Sequence, residues 1–563
     1  MKKKIIPAII AIALIIIVGL IGVGTSFIGK YSYSDEKMNL KEYYSLSDDS
    51  SVAIVLQNEI LDTKAKLIEG VYYLDFASVQ ELLNARFYVD EHENLLIYTT
   101  ALDIVKNVIG TDAYVENGEE VSAGYPVSVT DGETLYVALD YVKKFTDFSY
   151  DAYTEPNRIV MRTEWGTRNS VTVKKETAVR VKGGVKSEIL REVDKGESLV
   201  LIEEMDDWDK VKTEDGFIGY VEKKKLSSPI TEEEIPVSEC NLPEYTTVRR
   251  DHKINMGWHA IYSLAGNDTF ETYATGTGSM NVISPTWISM SDNEGNFRSY
   301  ASSEYCQRAH SRNMEVWASV DNFNAGEVST YEIMSYTSKR ERLISNLIAE
   351  VKANDIDGIN MDFEQVPSNA VPHYVEFLRE LSVACRKEGI VLSVDNYPPQ
   401  GGSNYNLKEQ GVVADYVVMM GYDEHWGGCE EAGSVASIGY VETGLNMILE
   451  VVPAEKVING IPFYTRVWKT SGGSITSEAL GMVDSAAFIS KYGIETSWDE
   501  TTCQNYGEIE MNGVLYQVWM EDAQSIETKL NIMDKYGIAG VAEWQLGLED
   551  KSIWNTIDAY MLK

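Results

Sequence analysis

In the run Asp357-Gly358-Ile359-Asn360-Met361-Asp362-Phe363-Glu364, Asn360, Asp362 and Glu364 are spaced two apart, so on a β-strand they share one face while Ile359, Met361 and Phe363 share the other. Two acids so placed repel when both are ionised, which raises the pKa of one and holds it protonated near neutrality. A protonated carboxyl at the rim of a site is what general-acid catalysis requires. The same spacing could make a surface ion-pair ladder or a metal-binding edge. The apolar residues on the opposite face favour the catalytic reading, because they turn the polar set inward, where a carboxylate is costly unless hydrogen-bonded or used.

Such a strand needs a frame, and residues 246–563 supply the pattern of one. INMGWHAIY, MNVISPTWISM, MEVWASVDNF, IDGINMDFE, IVLSVDNY, DYVVMMGYDE, KVINGIPFY and IAGVAEWQL are eight candidate buried strands, with helical patterns such as 339–354, 371–389 and 437–452 between several of them. Eight strand-plus-helix units predict a (β/α)8 TIM barrel, with its site at the C-terminal ends of the strands. The stretch from Val467 to Val518, after the seventh strand, is surplus to a minimal unit and predicts an inserted α+β subdomain on that rim.

With its flanks, the acidic run resembles the DxxDxDxE signature of glycoside hydrolase family 18, at the end of the fourth barrel strand. That resemblance implies that Glu364 protonates a glycosidic oxygen. It implies that Asp362 orients the substrate's acetamido group, whose carbonyl oxygen attacks the anomeric carbon, so that no protein nucleophile is needed and configuration is retained. Met420-Gly421-Tyr422-Asp423 resembles the family's MxYD, where the Tyr422 hydroxyl would hold the acetamido oxygen and Asp423 would contact the sugar. Trp544 matches the tryptophan that floors the subsite beside the acid. Asp357, Asn360, Tyr464 and Arg466 complete the expected substrate-binding set. Trp258, Trp287, Trp317 and Trp426 are candidates for the cleft wall and equally for the core. Asn360 departs from the pattern, standing where the family usually has an aspartate. It resembles the variant DGxNxDFE of members that act on spore cortex and bacterial cell wall, and so turns the expected substrate toward peptidoglycan over chitin. A chitinase, or a non-catalytic glycan-binding protein on the same barrel, is the alternative. The presence of Glu364, Asp362 and Tyr422 favours an enzyme. No cofactor and no metal are implied.

Upstream, Lys2, Lys3 and Lys4 precede an uncharged apolar run from Ile5 to Gly29, long enough for the ~20 residues that a membrane span needs. The lysines would hold the N-terminus inside, giving a cytoplasmic tip and transmembrane anchor at 1–30 with the catalytic region extracellular. A cleaved signal peptide is the rival, although its apolar core is normally shorter. A polar stalk is expected at 31–49. The segments beginning at Tyr73 and Tyr136 align without gaps, each reading as a strand, a helix and two strands. This repeat, within 50–165, resembles the N-terminal domain of copper amine oxidases, without a histidine cluster that would bring copper. Residues 168–228 alternate as a small β-barrel and resemble a bacterial Src-homology-3-like domain, with Trp208 and Tyr220 as groove or core residues. A proline-containing acidic linker follows at 229–245.

The net charge of −38 excludes a nucleic-acid partner, because such a surface repels phosphate backbones. The five cysteines include no CxxC pair and are odd in number, which argues against a structural zinc site and a disulfide framework. The expected partners are a polysaccharide of the peptidoglycan or chitin type, the cell wall, and the membrane through the N-terminal helix.

Overall fold

The computed structural model describes residues 10–19, 31–237, 240–323, 326–402 and 405–563. Two compact units emerge, Met1–Phe87 with Asn107–Leu242, and Tyr88–Lys106 with Pro243–Lys563. Apart from the helical residues 10–19, the expected span Ile5–Gly29 lies outside the described residues; Ile15 and Val18 in that helix are exposed. Among the described residues no helix is long and apolar enough to cross a membrane.

In the first unit both repeat copies begin alike. Val71–Asp75 leads into a helical turn at Phe76–Ser78, and Thr134–Ala138 leads into Leu139–Val142. The two leading strands pair antiparallel, with Ala138 opposite Tyr73. The second copy's hairpin, Ser149–Tyr153 with Arg158–Arg162, adds in parallel to Ser51–Leu56 and completes a seven-stranded sheet. A second seven-stranded sheet is built from strands between Thr167 and Glu233. Val55 and Val160 from the first sheet share one apolar cluster with Val179, Leu199, Val211 and Phe217 from the second. The two modules therefore have a common core.

The expected stalk is a packed segment. Tyr44 is buried and its hydroxyl donates to the Gly216 carbonyl at 2.9 Å, while the Tyr43 hydroxyl donates to the Ile218 carbonyl at 2.5 Å. Met38, Leu40 and Leu46 pack on the same apolar cluster, and the Met38 amide donates to the Ile189 carbonyl at 2.9 Å, so the stretch is docked along its length. Trp208 and Tyr220 are both half-buried.

The second unit is a closed barrel of eight parallel strands, each falling on one of the eight apolar runs. They are β1 (Ile254–His259), β2 (Val282–Pro285), β3 (Glu315–Asp321), β4 (Gly358–Asp362), β5 (Val391–Asn396), β6 (Tyr416–Met419), β7 (Val457–Pro462) and β8 (Gly540–Trp544). β8 pairs with β1 and β7, and β2 pairs with β3, which closes the ring. Between β7 and β8 the chain makes a five-stranded antiparallel sheet, from Tyr464–Ser471 to Val514–Met520, and a helix at Met482–Tyr492.

Helices α1 (Thr337–Asn354) and α2 (Val371–Glu388) flank β4 in sequence. α2 starts with Pro372 in its first turn and stops at Gly389, whose φ of 71° is the left-handed value that favours glycine. α1 is capped from far away in sequence. Asp90 Oδ2 accepts from both the amide and the hydroxyl of Thr337 at 2.6 Å, and Glu93 accepts from the Ser338 amide at 3.0 Å. Carboxylates at a helix N-terminus satisfy orphan N–H groups and complement the dipole. Both acids sit on the first repeat copy's hairpin, Tyr88–Asp90 with Leu95–Thr99, which belongs to the barrel's unit. Below it Arg340 is fully buried and makes a two-pronged pair with Glu380, both bonds 2.9 Å, while also donating to the Met334 carbonyl and the Tyr88 hydroxyl. Thr99 donates to Glu376 at 2.6 Å.

Arg340→Ala, which strands the buried Glu380, should cost about 3–5 kcal/mol in denaturant unfolding. Replacing both partners, Arg340→Met with Glu380→Leu, should cost less than the single change. A double variant less stable than either single variant would contradict this reading of the pair.

Candidate active site

The C-terminal ends of β4, β5 and β6 deliver the polar side chains to one place. Asp362 ends β4, and Glu364 follows two residues on, its backbone held by Asn322. The Glu364 amide donates to Asn322 Oδ1 at 3.0 Å, and Asn322 Nδ2 donates back to the Glu364 carbonyl at 2.9 Å. This clamp fixes the acid just beyond the ladder, where strand pairing no longer does so. At the end of β6, Gly421 is required by close packing, because a Cβ there would lie 2.6 Å from Asn459 Oδ1 and 2.7 Å from the Gly460 carbonyl. The chain can then turn through Asp423, whose φ is 58°.

A cavity of about 130 Å³ is lined by Trp258, Phe323, Asp362, Glu364, Asp395, Met420, Tyr422, Asp423 and Trp544. It adjoins a second hollow of about 240 Å³, which shares Asp423 and Trp544 and adds Tyr464, Arg466 and Gln545. The Trp258 and Trp544 rings meet edge to face at 5.9 Å. The Tyr464 hydroxyl donates to Asp423, and its ring lies 6.4 Å from that of Tyr422. A larger cavity of about 680 Å³ lies in the first unit, where Arg162 pairs with Asp151 and Arg168 with Glu232 and Glu234; it has no part in this site.

Burial dominates the electrostatics. It pushes Asp362 well above the usual carboxylate range, and neighbouring Asp395 adds more than Glu364 or Asp321. Glu364 is also raised, first by burial and then by Asp423 and Asp321, against a hydrogen bond from Tyr397 that favours its ionised form. Repulsion within the Asp362/Glu364 pair is thus a minor cause, contrary to the spacing argument. A neutral Glu364 facing a cavity can give a proton. Asp362 Oδ1 is buried without a partner in the described residues, so it is open to a donor from a ligand.

Asp362, Glu364, Tyr422, Asp423 and Trp544 therefore meet at one cavity, with Tyr464 and Arg466 beside it. Two expected contacts fall elsewhere. Asp357 lies at the N-terminal end of β4, where its Oδ2 accepts from the Val316 amide at 2.8 Å and lies 2.8 Å from His310 Nε2. It pins the barrel floor and does not reach the cleft. Asn360 is buried one layer beneath the cavity, bonded to Trp258, Ser284, Ser393 and Asp395. Among the four tryptophans, Trp258 lines the cavity, Trp287 and Trp317 are core, and Trp426 is exposed. Asp395 and Tyr397 were not expected. Their signal was present in Asp395-Asn396-Tyr397, whose two-residue spacing on the fifth strand repeats that of Asp362 and Glu364 on the fourth.

Residues 241–549 match the family model Glycosyl hydrolases family 18, and residues 175–227 match Bacterial SH3 domain. The chain belongs to glycosyl hydrolases family 18. Among its relatives is the "Uncharacterized glycosylase YvbX" of Bacillus subtilis (strain 168), 28% identical over 294 residues, covering 49% of this chain and 84% of the relative. The "Cortical fragment-lytic enzyme" of Bacillus anthracis is 27% identical over 254 residues, covering 43% of this chain; this chain spans 59% of that relative's length. A solved C-terminal domain from Desulfitobacterium hafniense DCB-2 superimposes with a TM-score of 0.50 at 20% identity over 55% of this chain and 99% of that one, a likeness of fold. As a family 18 glycosidase, the protein carries its acidic pair at the end of β4, where a barrel enzyme presents its chemistry.

Tyr397→Phe removes the hydrogen bond that favours ionised Glu364, so the glutamate should hold its proton to higher pH. The descending basic limb of the kcat/KM profile should move upward in pH. The rate at the optimum should fall roughly tenfold, about the worth of one hydrogen bond to a charged group. A limb that stays put or moves down would show that Tyr397 does not tune Glu364.

Proposed function

We propose that the barrel cleaves β-1,4 bonds of N-acetylglucosamine-containing polysaccharide, with bacterial peptidoglycan as the substrate, by a retaining, substrate-assisted route. The observation that carries this reading is the unpartnered Asp362 Oδ1, buried in a small cavity beside Glu364 and walled by Trp258, Tyr422 and Trp544. An N–H donor is what that oxygen needs, and the acetamido group of the sugar supplies one. Glu364 protonates the leaving oxygen. The acetamido carbonyl oxygen closes on the anomeric carbon as Asp362 holds the nitrogen and stabilises the positive charge that develops there. Tyr422 lies against the same group. Water then attacks with Glu364 as base, and configuration is retained. Trp544 and Trp258 cover the apolar sugar faces.

Peptidoglycan is favoured over chitin by the amide at Asn360, by a relative named for cortical fragments, and by the bacterial SH3 domain upstream. That domain and the repeat, read as a copper amine oxidase N-terminal-like module, serve as wall contact or spacer. The apolar run Ile5–Gly29 behind three lysines anchors the chain in the cell membrane, with the barrel outside. Release of a shortened form into the medium as the main species would overturn the anchor.

The purified protein, incubated with peptidoglycan and separately with chitin, should release peptidoglycan fragments whose new reducing ends are N-acetylglucosamine, read by mass spectrometry. Muramic acid at those ends, or faster turnover of chitin, would overturn the substrate reading. Glu364→Gln keeps shape but cannot deliver a proton, and should lower kcat by ~10²–10⁴-fold with binding retained. A thiazoline analogue of N-acetylglucosamine should inhibit, because it mimics the bicyclic intermediate, whereas a trapped glycosyl–protein adduct would contradict the substrate-assisted route.

A further inference from the structure

The barrel register sets three aspartates side by side. Asp321 on β3 is the strand partner of Asp362 on β4. The β4–β5 register, Asn360 opposite Ser393 and Met361 opposite Val394, brings Asp395 alongside Asp362 on the other flank. Paired residues on adjacent strands ~4.8 Å apart point to the same face. Asp321 is satisfied, its Oδ2 accepting from Ser289 at 2.7 Å and its Oδ1 from the Phe323 amide at 3.0 Å. The other two are not. Asp362 Oδ1 and Asp395 Oδ2 are both buried without a partner in the described residues, and both residues line the 130 Å³ cavity.

Asn360 determines which of the two acids is better held as an anion. Its Oδ1 accepts from the Trp258 indole at 3.0 Å and from the Ser284 hydroxyl at 3.2 Å. An indole N–H can only donate, so the amide cannot turn over, and its Nδ2 must face Asp395 Oδ1, 2.7 Å away. A donor of fixed orientation favours the ionised form of Asp395. Two neighbouring buried carboxylates cannot both be ionised cheaply, so the pair keeps one proton, and it falls to Asp362. Asn360 itself can neither give nor take it.

We propose that Asp395, held by Asn360, is the proton partner of Asp362, a positioning residue that accepts the Asp362 proton when that carboxyl must turn anionic against the substrate. This rests on the acetamido reading above. As the acetamido oxygen bonds to the anomeric carbon and its nitrogen gains positive charge, the Asp362 O–H bond breaks and an O–H bond forms on Asp395. When water opens the intermediate, the proton returns. Nothing is oxidised or reduced: the Asp362 proton passes to Asp395 and back, while the Glu364 proton goes to the leaving oxygen and is restored by the attacking water. The titratable groups around the pair are Asp321 from β3, Glu364 from the end of β4, Tyr374 from α2, Tyr397 from the end of β5, and Tyr422 and Asp423 from the end of β6; the acids among them all oppose a second negative charge. Burial raises both members, and Asp395 is the largest charge acting on Asp362.

The test has a kinetic and a spectroscopic arm, both on the full-length protein. With chitotetraose as substrate, Asp395→Asn should lower kcat at least tenfold while KM changes less than threefold. Adding Asn360→Asp to Asp395→Asn, which returns a carboxylate to Asp362's neighbourhood from two residues earlier on the same strand, should recover most of the loss. A merely structural role for Asp395 would not be rescued by that exchange. Infrared difference spectra near neutral pH should show a protonated carboxyl band of Asp362, identified by its loss in Asp362→Asn, whose frequency shifts in Asp395→Asn because its neighbour is no longer a carboxylate. An Asp362 carboxyl band unmoved in Asp395→Asn, or wild-type kcat in that variant, would overturn the proposal. If the wild type turned over neither chitotetraose nor peptidoglycan, the acetamido reading would fall instead, and the spectra would still decide whether Asp362 and Asp395 share the proton.

Discussion

Removing a carboxylate from water is expensive, and the mouth of this barrel holds Asp321, Asp362, Asp395 and Glu364 together. Each is answered differently. Asp321 is paid for by a hydroxyl and a backbone amide, Asp395 by a locked amide, and Glu364 by a tyrosine hydroxyl and its own partial exposure. Asp362 and Asp395 each keep one buried oxygen without a partner in the described residues, and that of Asp362 lies beside Glu364 in the cavity. The site is therefore built around an unmet demand for an N–H, in a place where water is largely excluded and such a demand is strong.

The layer beneath gives that demand its direction. Asn360 ties β1, β2, β4 and β5 together through Trp258, Ser284, Ser393 and Asp395. A buried amide with all of its partners present is a rigid joint, and a rigid joint keeps the carboxylates above it from relaxing away from one another. Trp258 acts in both layers, bonding the joint with its nitrogen and walling the cavity with its ring.

The eight strands were legible because each is an apolar run of strand length between helical patterns, and burial on both faces of a barrel leaves that trace. The acidic pair was legible because two-residue spacing survives as a same-face relation. Asp357 was misplaced even though it lies an odd number of residues from Asp362, which already sets it off that face. Asp395 and Asp321 escaped notice for a different reason: their kinship with Asp362 lies in the register between strands, which a single sequence does not record. The segment 31–49 read as a stalk because it is polar overall, yet its scattered Met38, Leu40, Tyr43, Tyr44 and Leu46 pack on one apolar cluster and its backbone bonds to neighbouring strands.

The hairpin of residues 88–106 has a bearing on how the chain is made. Its contacts with the barrel helices span up to 285 residues, as between Tyr88 and His373. A ribosome adding ~5–20 residues per second would need roughly 15–55 seconds to cover that interval. Throughout it the hairpin has emerged while the helices it caps do not yet exist, so Asp90 and Glu93 wait in water for the N-terminus they will bind. Their charge keeps the waiting segment soluble, which makes the same two carboxylates guardians of the nascent chain before they become part of the finished one.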